Sequence, residues 1–430
     1  MPISAYHTPG IYIEEVPAGP QPITAVGTST AAFVGRAPRA DVLVDSPQAC
    51  NNWSEFMRRY VAEGQSTSTP LSNAVYGFFL NGGGRCFVVN TGDDDSITKA
   101  LGALQTEDEV AIVAAPGRYD PASYQAILAH CELLKDRVGI LDTPEDVDDI
   151  GKLTEVGTVE APAPAPPKPR GQASGGEAAG AAAGGGEGGG GEKPKLGPEG
   201  GPKPGAIGPP MSPLGYVSCY FPWLTVMDPL TDTLVNVPPS GHVAGIWART
   251  DMTRGVHVAP AGMDANVRGA LNLTYRLTRE EQGVLNDVGI NCLRLFARAG
   301  IVVWGARTRG EAEWRYLNVR RLFNMVEESI EEGTNWIVFE SNDETTRKHV
   351  RRDIGAFLMR VWRDGALQGA TPEEAFFVKC DDETNPPEVV DAGQLVALVG
   401  MAPVKPAEFV IFRVMQQTPG AEVTAAASAA

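Results

Sequence analysis

The chain has 430 residues, of which 43% are hydrophobic and 21% charged, a length that suits two or three domains, each with its own core. The formal net charge of −17 argues against nucleic acid as a partner. The longest apolar run, at residues 395–402, is too short to cross a bilayer, so we expect no membrane insertion. The N-terminus lacks a basic segment followed by an apolar one, which predicts a protein that stays in the cytoplasm of the producing cell.

Both ends of the chain have the pattern of short β-strands that prolines separate from the rest of the sequence. Pro9 and Gly10 precede the first strand, and Pro403 and Pro406 precede a second one that is apolar on both faces. A strand that is apolar on both faces is typical of burial. We therefore predict that each end is an arm that adds a strand to a sheet in a neighbouring subunit. The predicted arm residues are Ile11, Tyr12, Ile13 and Val16 at the N-terminus, and Phe409, Val410, Ile411, Phe412 and Val414 at the C-terminus.

Between the arms, the first part of the chain alternates short apolar strands with helical patterns. Continuous apolar strands that are separated by single helices are typical of a parallel sheet with both faces covered. This pattern predicts an α/β domain. The strands are predicted at 30–35, 86–90, 110–114 and 138–142, and the helices at 54–61, 71–80, 97–104 and 121–135.

Residues 158–213 have a different composition, rich in glycine, proline and alanine. Such a segment cannot bury enough apolar surface to offset the entropy of ordering, so we predict that it is disordered. A strand pattern resumes at Tyr216, which favours an insertion within the α/β domain over a linker between two domains. The predicted division is an N-terminal arm at 1–24, an α/β domain at 25–273, a C-terminal domain at 274–402, and a C-terminal arm and tail at 403–430.

The second unit shows strong helical patterns and several short strands. Thr278 and Glu281 have the spacing of a capping box, which predicts the start of a short helix. Further elements are predicted as strands at 301–304 and 336–339, helices at 319–332 and 342–362, and a strand pair at 376–380 and 395–399.

Motifs for catalysis or cofactor binding are missing from the sequence. There is no phosphate-binding loop, since Gly82–Gly84 precede a strand instead of following one, and no G-x-S-x-G turn accompanies Asp142 or Asp93–Asp95. The five histidines form no i,i+4 pair, and the six cysteines form no C-x-x-C pair. We therefore predict reduced, buried thiols and no catalytic residue, cofactor or metal, with an α/β hydrolase-like enzyme as the remote alternative.

One charged group stands out on the helix predicted at 342–362. Arg347, Lys348, Arg351 and Arg352 form a basic ridge near its N-terminal half, where the helix dipole disfavours positive charge. The ridge is therefore a candidate contact for an anionic partner. The alternative is a solvated face whose charges pair within the chain, for example with Glu344 and Asp353.

Several stretches together resemble the tail sheath proteins of contractile phage tails and related contractile injection systems. No single stretch is decisive, but they occur in family order across nearly the whole chain, and only the Gly/Pro-rich segment is not a usual sheath element. The matching stretches are PGIYIEEV at 9–16, GTSTAAFVG at 27–35, YFPW at 220–223, VPPSGHVAG at 237–245, RGV at 254–256, AP at 259–260, VWGART at 303–308, RR at 320–321 and PAEFVIF at 406–412.

The resemblance implies a subtilisin-like α/β domain that is not a protease, and a C-terminal α+β domain nearest an inner tube. It also implies hexameric rings that stack helically around the tube, contract to drive it through a target envelope, and meet baseplate and terminal cap proteins. The large sheath subunit of a type VI secretion system is the closest alternative. The basic ridge would contact the tube, and the arms would pair with acceptor strands that contain Phe376, Phe377, Val378, Leu395, Val396 and Leu398.

Overall fold

The computed structural model describes residues 22–64, 67–157 and 208–409. The predicted arm residues Ile11, Tyr12, Ile13, Val16, Val410, Ile411, Phe412 and Val414 lie outside these ranges, as do residues 158–207 of the predicted insertion.

The described residues form strands and helices that alternate along most of the chain. The strands are β1 (Ala31–Gly35), β2 (Gln48–Cys50), β3 (Cys86–Asn90), β4 (Ile112–Ala114), β5 (Val138–Asp142), β6 (Val217–Phe221), β7 (Leu224–Met227), β8 (Leu234–Val237), β9 (Ala270–Leu273), β10 (Ile290–Phe296), β11 (Gly300–Val303), β12 (Phe376–Lys379) and β13 (Leu398–Met401). The helices are α1 (Trp53–Tyr60), α2 (Pro70–Leu80), α3 (Ile97–Ala103), α4 (Pro121–Leu134), α5 (Gly151–Thr154), α6 (Ser240–Arg254), α7 (Arg279–Asp287), α8 (Leu317–Thr334), α9 (Glu344–Arg363), α10 (Pro372–Ala375) and α11 (Pro387–Asp391).

An eight-stranded sheet in the order β11-β10-β6-β5-β4-β1-β3-β2 forms the centre of the fold. Its inner strands from β10 to β3 are parallel, whereas β11 and β2 pair antiparallel at the two edges. Every residue of β1, β3, β5 and β6 is buried, as expected for parallel strands that are covered on both faces. The predicted α/β architecture with a parallel sheet is confirmed.

Helices cover the two faces of this sheet with separate apolar clusters. The cluster on one face includes Phe78 of α2 and Trp247 of α6, and the cluster on the other includes Leu101, Ile127 and Leu285 from α3, α4 and α7. Helices α2 and α6 touch closely because α6 carries glycine at the contact. A Cβ atom at Gly241 would lie 2.3 Å from the Cα of Ala74.

The central sheet extends beyond the domain boundary that we predicted at residue 273. Strands β10 and β11 follow that boundary and join the central sheet through β6. Strand β10 was not predicted, because its outer half carries Arg294 and exposed Leu295 and lacks the pattern of an apolar run. A third apolar cluster is built from α8, α9 and the segments that follow them, together with Ile23 and Val256.

The junction between this third cluster and the central sheet contains a buried ion pair. Arg321 of α8 donates to both carboxylate oxygens of Asp251 on α6, at 2.9 and 2.5 Å, and both side chains are almost fully buried. The same guanidinium donates to the carbonyl of Thr28 and lies over the ring of Trp247. These contacts fix α8 against α6 and against the segment that precedes β1.

Three local predictions differ from the structure. The segment predicted as a strand at 336–339 contains a 3-10 turn at Asn335–Ile337. Phe339 follows it with a φ of 74° and a fully exposed ring. An apolar run does not form a strand where no neighbouring strand pairs with it. The segment at 208–213 is packed, since buried Arg309 donates to the carbonyls of Pro209 and Pro210. The second strand of the predicted pair is β13, which begins at Leu398.

The capping box at the start of α7 is confirmed. Glu281 N donates to Thr278 Oγ1 at 3.2 Å, and Thr278 N donates to Glu281 Oε2 at 2.8 Å.

Strand β6 ends before Pro222, which has no N–H for hydrogen bonding within a sheet. The chain then continues as β7 in a separate three-stranded sheet of the order β8-β7-β9.

Candidate functional site

The carboxyl ends of the parallel strands are where open α/β enzymes usually bind their ligands. Here Asp142 ends β5 and is buried. Its carboxylate accepts hydrogen bonds from Ser240 N at 2.9 Å, Ser240 Oγ at 2.7 Å and Gly117 N at 3.0 Å. Burial raises the pKa of Asp142 to about 6, although these hydrogen bonds act in the opposite direction. The carboxylate therefore holds the N-terminus of α6 and the turn that follows β4.

Ser240 and Asp142 form this contact without an imidazole between them. The nearest histidine in sequence, His242, is buried against α2, where a Cβ at Gly77 would lie 2.4 Å from its Nδ1 atom. Burial lowers the pKa of His242 to about 4, so the ring is neutral at pH 7. Within the described residues, no hydrogen bond connects His242 to Ser240 or Asp142. The arrangement lacks the serine–histidine contact of a Ser–His–Asp triad.

Other polar groups at this edge of the sheet also form contacts within the chain. Arg36 contacts Asp93 at 2.7 Å, and Arg118 pairs with Asp95. Asn90, at the end of β3, donates to three carbonyl groups of the loop at 39–42, with distances of 2.7–3.2 Å. The polar groups at these strand ends are thus engaged in holding loops of the same chain.

The cysteines and histidines do not form a metal site in the described part of the chain, which contains no suitable group of three or more His, Cys, Asp or Glu residues. All six cysteines are free and buried, as predicted. Burial raises the pKa of Cys131, Cys219 and Cys292 to about 12, so these thiols stay protonated at neutral pH.

Among the helices that the structure describes, none combines the length and the apolar character of a membrane span.

A different kind of candidate site lies at β12 and β13, which form a two-stranded antiparallel sheet. On one face of the pair, the side chains of Phe376 and Val378 are partly buried and pack against the apolar cluster of α8 and α9. On the other face Phe377 is 54% and Leu398 is 52% exposed, and the Phe377 ring lies where a Cβ of Gly400 would otherwise be. An isolated two-stranded sheet is only marginally stable in water. Both outer edges lack a partner strand in the described residues.

The structure separates the six predicted acceptor residues into two groups. Phe376, Phe377 and Val378 lie in β12, and Leu398 begins β13. Leu395 and Val396 precede β13 in a turn that Asn385 holds, since Val396 N donates to Asn385 Oδ1 at 2.7 Å and Asn385 Nδ2 donates to Val396 O at 2.9 Å. Phe409, the one predicted arm residue within the described range, is 73% exposed.

The basic ridge on α9 is largely neutralised by acidic side chains of the same chain. Arg347 contacts Asp382 at 2.5 Å, Lys348 contacts Glu344 at 2.6 Å, and Arg352 contacts Asp353 at 2.9 Å. The partners that we named for a solvated face, Glu344 and Asp353, are indeed paired. Arg351 is exposed, and no ion pair connects it to another described residue. It lies beside a groove between α9 and β12.

Two further contacts involve arginines of the motifs that resemble sheath proteins. Arg307 of the VWGART stretch pairs with Glu408 of the closing PAEFVIF stretch at 2.5 Å, and Arg321 of the RR pair binds Asp251. Neither pairing could be read from the sequence, because the partners are 101 and 70 residues apart. What the sequence did show is that both arginines, Arg307 and Arg321, lie in motifs that resemble sheath proteins.

These features define a class of protein: an α/β subunit whose polar strand ends hold its own loops, and whose small apolar sheet lacks partner strands among the described residues. Comparisons with known proteins agree with this class. Residues 215–309 match the family model of the phage tail sheath protein central domain, and residues 311–417 match that of the phage tail sheath C-terminal domain.

Individual sheath proteins and structures are also similar to the chain. It is 32% identical over 177 residues to the tail sheath protein of Vibrio phage KVP40 and 26% identical over 198 residues to that of Enterobacteria phage T4. These segments span 40% and 45% of this chain but only 26% and 29% of the two phage proteins.

Among solved structures, one similar chain comes from the PVC sheath complex of an extracellular contractile injection system in the contracted state, with 26% identity and a TM-score of 0.72. Another comes from the baseplate of the anti-feeding prophage, with 28% identity and a TM-score of 0.69. The matches cover 96% of this chain and 99% and 100% of those chains. Residues 215–309 and 311–417 thus match the phage tail sheath family, and 96% of the chain is similar to a chain of a contracted sheath complex.

Proposed function

We propose that the chain is a structural subunit of a contractile sheath, and that it has no catalytic role. The observation that carries this proposal is the β12–β13 sheet, with exposed apolar side chains and two edges that lack partners among the described residues. Exposed sheet edges of this kind are templates for strands from another chain. Similarity over 96% of the chain to a sheath complex in the contracted state supports the same conclusion.

In this proposal, the N-terminal and C-terminal arms of neighbouring subunits add strands to the β12–β13 sheet. Backbone pairing depends little on how the domain bodies pack, so the arms can stay paired while the bodies slide from an extended to a contracted packing. Hexameric rings would stack around an inner tube, between a baseplate and a terminal cap, and contraction would drive the tube through a target envelope. Assembly would take place in the cytoplasm of the producing bacterium, and the α/β domain would be subtilisin-like in fold without protease activity.

Deletion of the arms tests this function directly. We expect the full-length protein to form hollow tubes or stacked rings in electron micrographs. Variants that lack residues 1–21 or 409–430 should remain folded monomers, because both deletions spare the central sheet and its clusters. Tubes that form without both arms would contradict strand exchange, and a strictly monomeric full-length protein at high concentration would contradict the sheath function.

Two alternatives give different results in the same preparation. The large sheath subunit of a type VI system works with a small partner subunit, so tubes that form from this chain alone favour the phage-like or extracellular class. An α/β hydrolase-like enzyme would react with broad serine- or cysteine-directed activity probes. We expect no labelling, because Ser240 donates to Asp142 and the thiols are buried.

A further inference from the structure

The segment that leads to the C-terminal arm is bound to the body of the protein over most of its length. Ala402 N donates to Ala375 O at 2.9 Å, and Val404 N donates to Ala366 O at 3.1 Å. Asn318 of α8 donates from its side chain to Val404 O at 3.0 Å. Up to Val404, these contacts tie the segment to the C-terminal helices. The prolines at 403 and 406, which we expected to begin a free arm, therefore lie within a bound strap.

A second attachment follows four residues later, and it belongs to the central sheet. Arg307 donates from Nε to both carboxylate oxygens of Glu408, at 2.9 and 3.1 Å, and from its terminal nitrogen to Oε2 at 2.5 Å. The side chains are only 7% and 17% exposed. The hydrogen bonds to Glu408 raise the pKa of Arg307 above its ordinary value. This is a bidentate, charge-assisted pair of the strong kind.

Arg307 is itself fixed by the central sheet, so that Glu408 is held against an immobile partner. Its remaining terminal nitrogen donates to the carbonyl of Asn286 at the end of α7, at 2.7 Å. Its backbone N–H donates to Asn291 Oδ1 of β10 at 2.7 Å, and its carbonyl accepts from Ser218 of β6 at 2.9 Å. Immediately after Glu408, Phe409 is 73% exposed. Among the described residues, the ion pair is thus the last salt bridge between this segment and the body of the protein.

We propose that the Arg307–Glu408 pair is a clamp that fixes the point at which the C-terminal arm leaves the subunit. This inference rests on the proposed sheath function, and the partner of the arm is a second copy of this chain. Without the clamp, the nearest described tether would be Val404. The four residues from Lys405 to Glu408 would then give the arm roughly 13–14 Å of additional slack. A longer flexible tether lowers the effective concentration of the arm at its acceptor.

The clamp also determines which part of the subunit bears a pull on the C-terminal arm during contraction. Because Arg307 follows β11 and is hydrogen bonded to β6 and β10, a pull on the arm acts on the central sheet. In the absence of the pair it would act first on Val404, which is bound to Asn318 of α8 and to Ala366 after α9.

The substitution Glu408→Gln tests the clamp, because it removes the charge, keeps the shape and lies outside the apolar clusters. Asp264→Asn is the matched control, since it breaks the exposed Arg254–Asp264 pair. A nitroxide attached at position 409 in the unassembled subunit should give a more mobile electron paramagnetic resonance line shape in Glu408→Gln than in the wild type. The protein concentration needed for tubes to form should rise about tenfold in unlabelled Glu408→Gln and stay within twofold in Asp264→Asn.

The melting temperature separates a clamp from a purely structural pair. We expect it to change by no more than a few degrees in Glu408→Gln. An unchanged nitroxide line shape, or a concentration for tube formation equal to that of the control, would overturn the clamp. If the wild type forms no tubes, the sheath function fails and the role of the clamp in assembly fails with it, whereas the line shape still decides whether Glu408 restrains the arm.

Discussion

Asp142 shows how a residue at an enzyme-like position can serve a structural purpose. It ends a parallel strand and has a pKa raised to about 6 by burial, two features that often mark catalytic acids. All three of its hydrogen bonds, however, come from the start of α6 and the turn after β4. The sequence drew attention to Asp142, but only the structure identified Ser240 as its partner, 98 residues away.

The raised pKa predicts a specific dependence of stability on pH. A carboxyl group whose pKa rises from 3.8 to about 6 on folding binds its proton more tightly in the folded state, so its contribution to stability is lost as pH rises between these values. The variant Asp142→Asn has no group that titrates at this position. Its amide also faces a backbone N–H, so its free energy of unfolding should be lower by about 1–3 kcal/mol. Denaturant unfolding should therefore give a larger stability difference between wild type and variant at pH 4.5 than at pH 7.5.

The exposed carboxylate Asp93 supplies the control for this experiment. It pairs with Arg36, and 79% of its side chain is exposed, so Asp93→Asn should change the free energy of unfolding by no more than about 1 kcal/mol. A stability difference for Asp142→Asn that grows toward high pH would mean that the folded protein favours the ionised carboxylate, contrary to this assignment.

At the scale of elements, helix α9 combines a buried apolar face with a ridge of charges that are mostly paired. The predicted apolar positions Val350, Ile354, Phe357, Leu358 and Val361 are all buried. The helix could be predicted because its amphipathic pattern runs over five turns. The pairing of the ridge could only partly be predicted, since Asp382 reaches Arg347 from a distant turn. Arg351 is the residue of the ridge that is best placed to contact an external anion.

We propose that Arg351 contributes to the contact with an acidic inner tube. Arg351→Glu should reduce the amount of tube protein that copurifies with the sheath by about fivefold, as expected for an exposed charge contact worth up to about 1 kcal/mol. The loss should be smaller at high salt, because the Debye length at 0.1 M is about 10 Å. Arg352→Glu is the control, since Arg352 already pairs with Asp353. Equal copurification of both variants with the tube would remove this contact from the proposal.

At the scale of the whole molecule, the C-terminal helices and the long Gly/Pro-rich segment are both additions to the domain that contains the central sheet. The ends of that segment lie side by side: Gly157 N donates to Gly208 O at 3.0 Å, and Gly208 N donates to Glu155 O at 2.9 Å. The neighbouring strands β5 and β6 are adjacent in the sheet. We therefore propose that residues 158–207 are an insertion that leaves and re-enters the domain at one place.

Removal of most of the insertion should leave the fold and the assembly intact. Replacing residues 160–206 by a short Gly/Ser linker shortens the loop to be closed, which should stabilise the domain by about 2 kcal/mol if the segment behaves as a flexible chain. Thermal unfolding and electron microscopy of the variant measure the two outcomes. Failure to fold would show that the segment is a structural part of the domain, and normal folding without tube formation would give it a role in assembly.

The sequence by itself determined the α/β class, most of the parallel strands and the long helices, because these depend on periodicities and caps that operate within about twenty residues. It also determined the family resemblance, which follows from the order of short motifs. Tertiary structure alone decided that β10 and β11 complete the central sheet, that the apolar run at 336–339 is not a strand, and that Glu408 binds Arg307. Each of these depends on which distant residue lies opposite, and local sequence does not encode that.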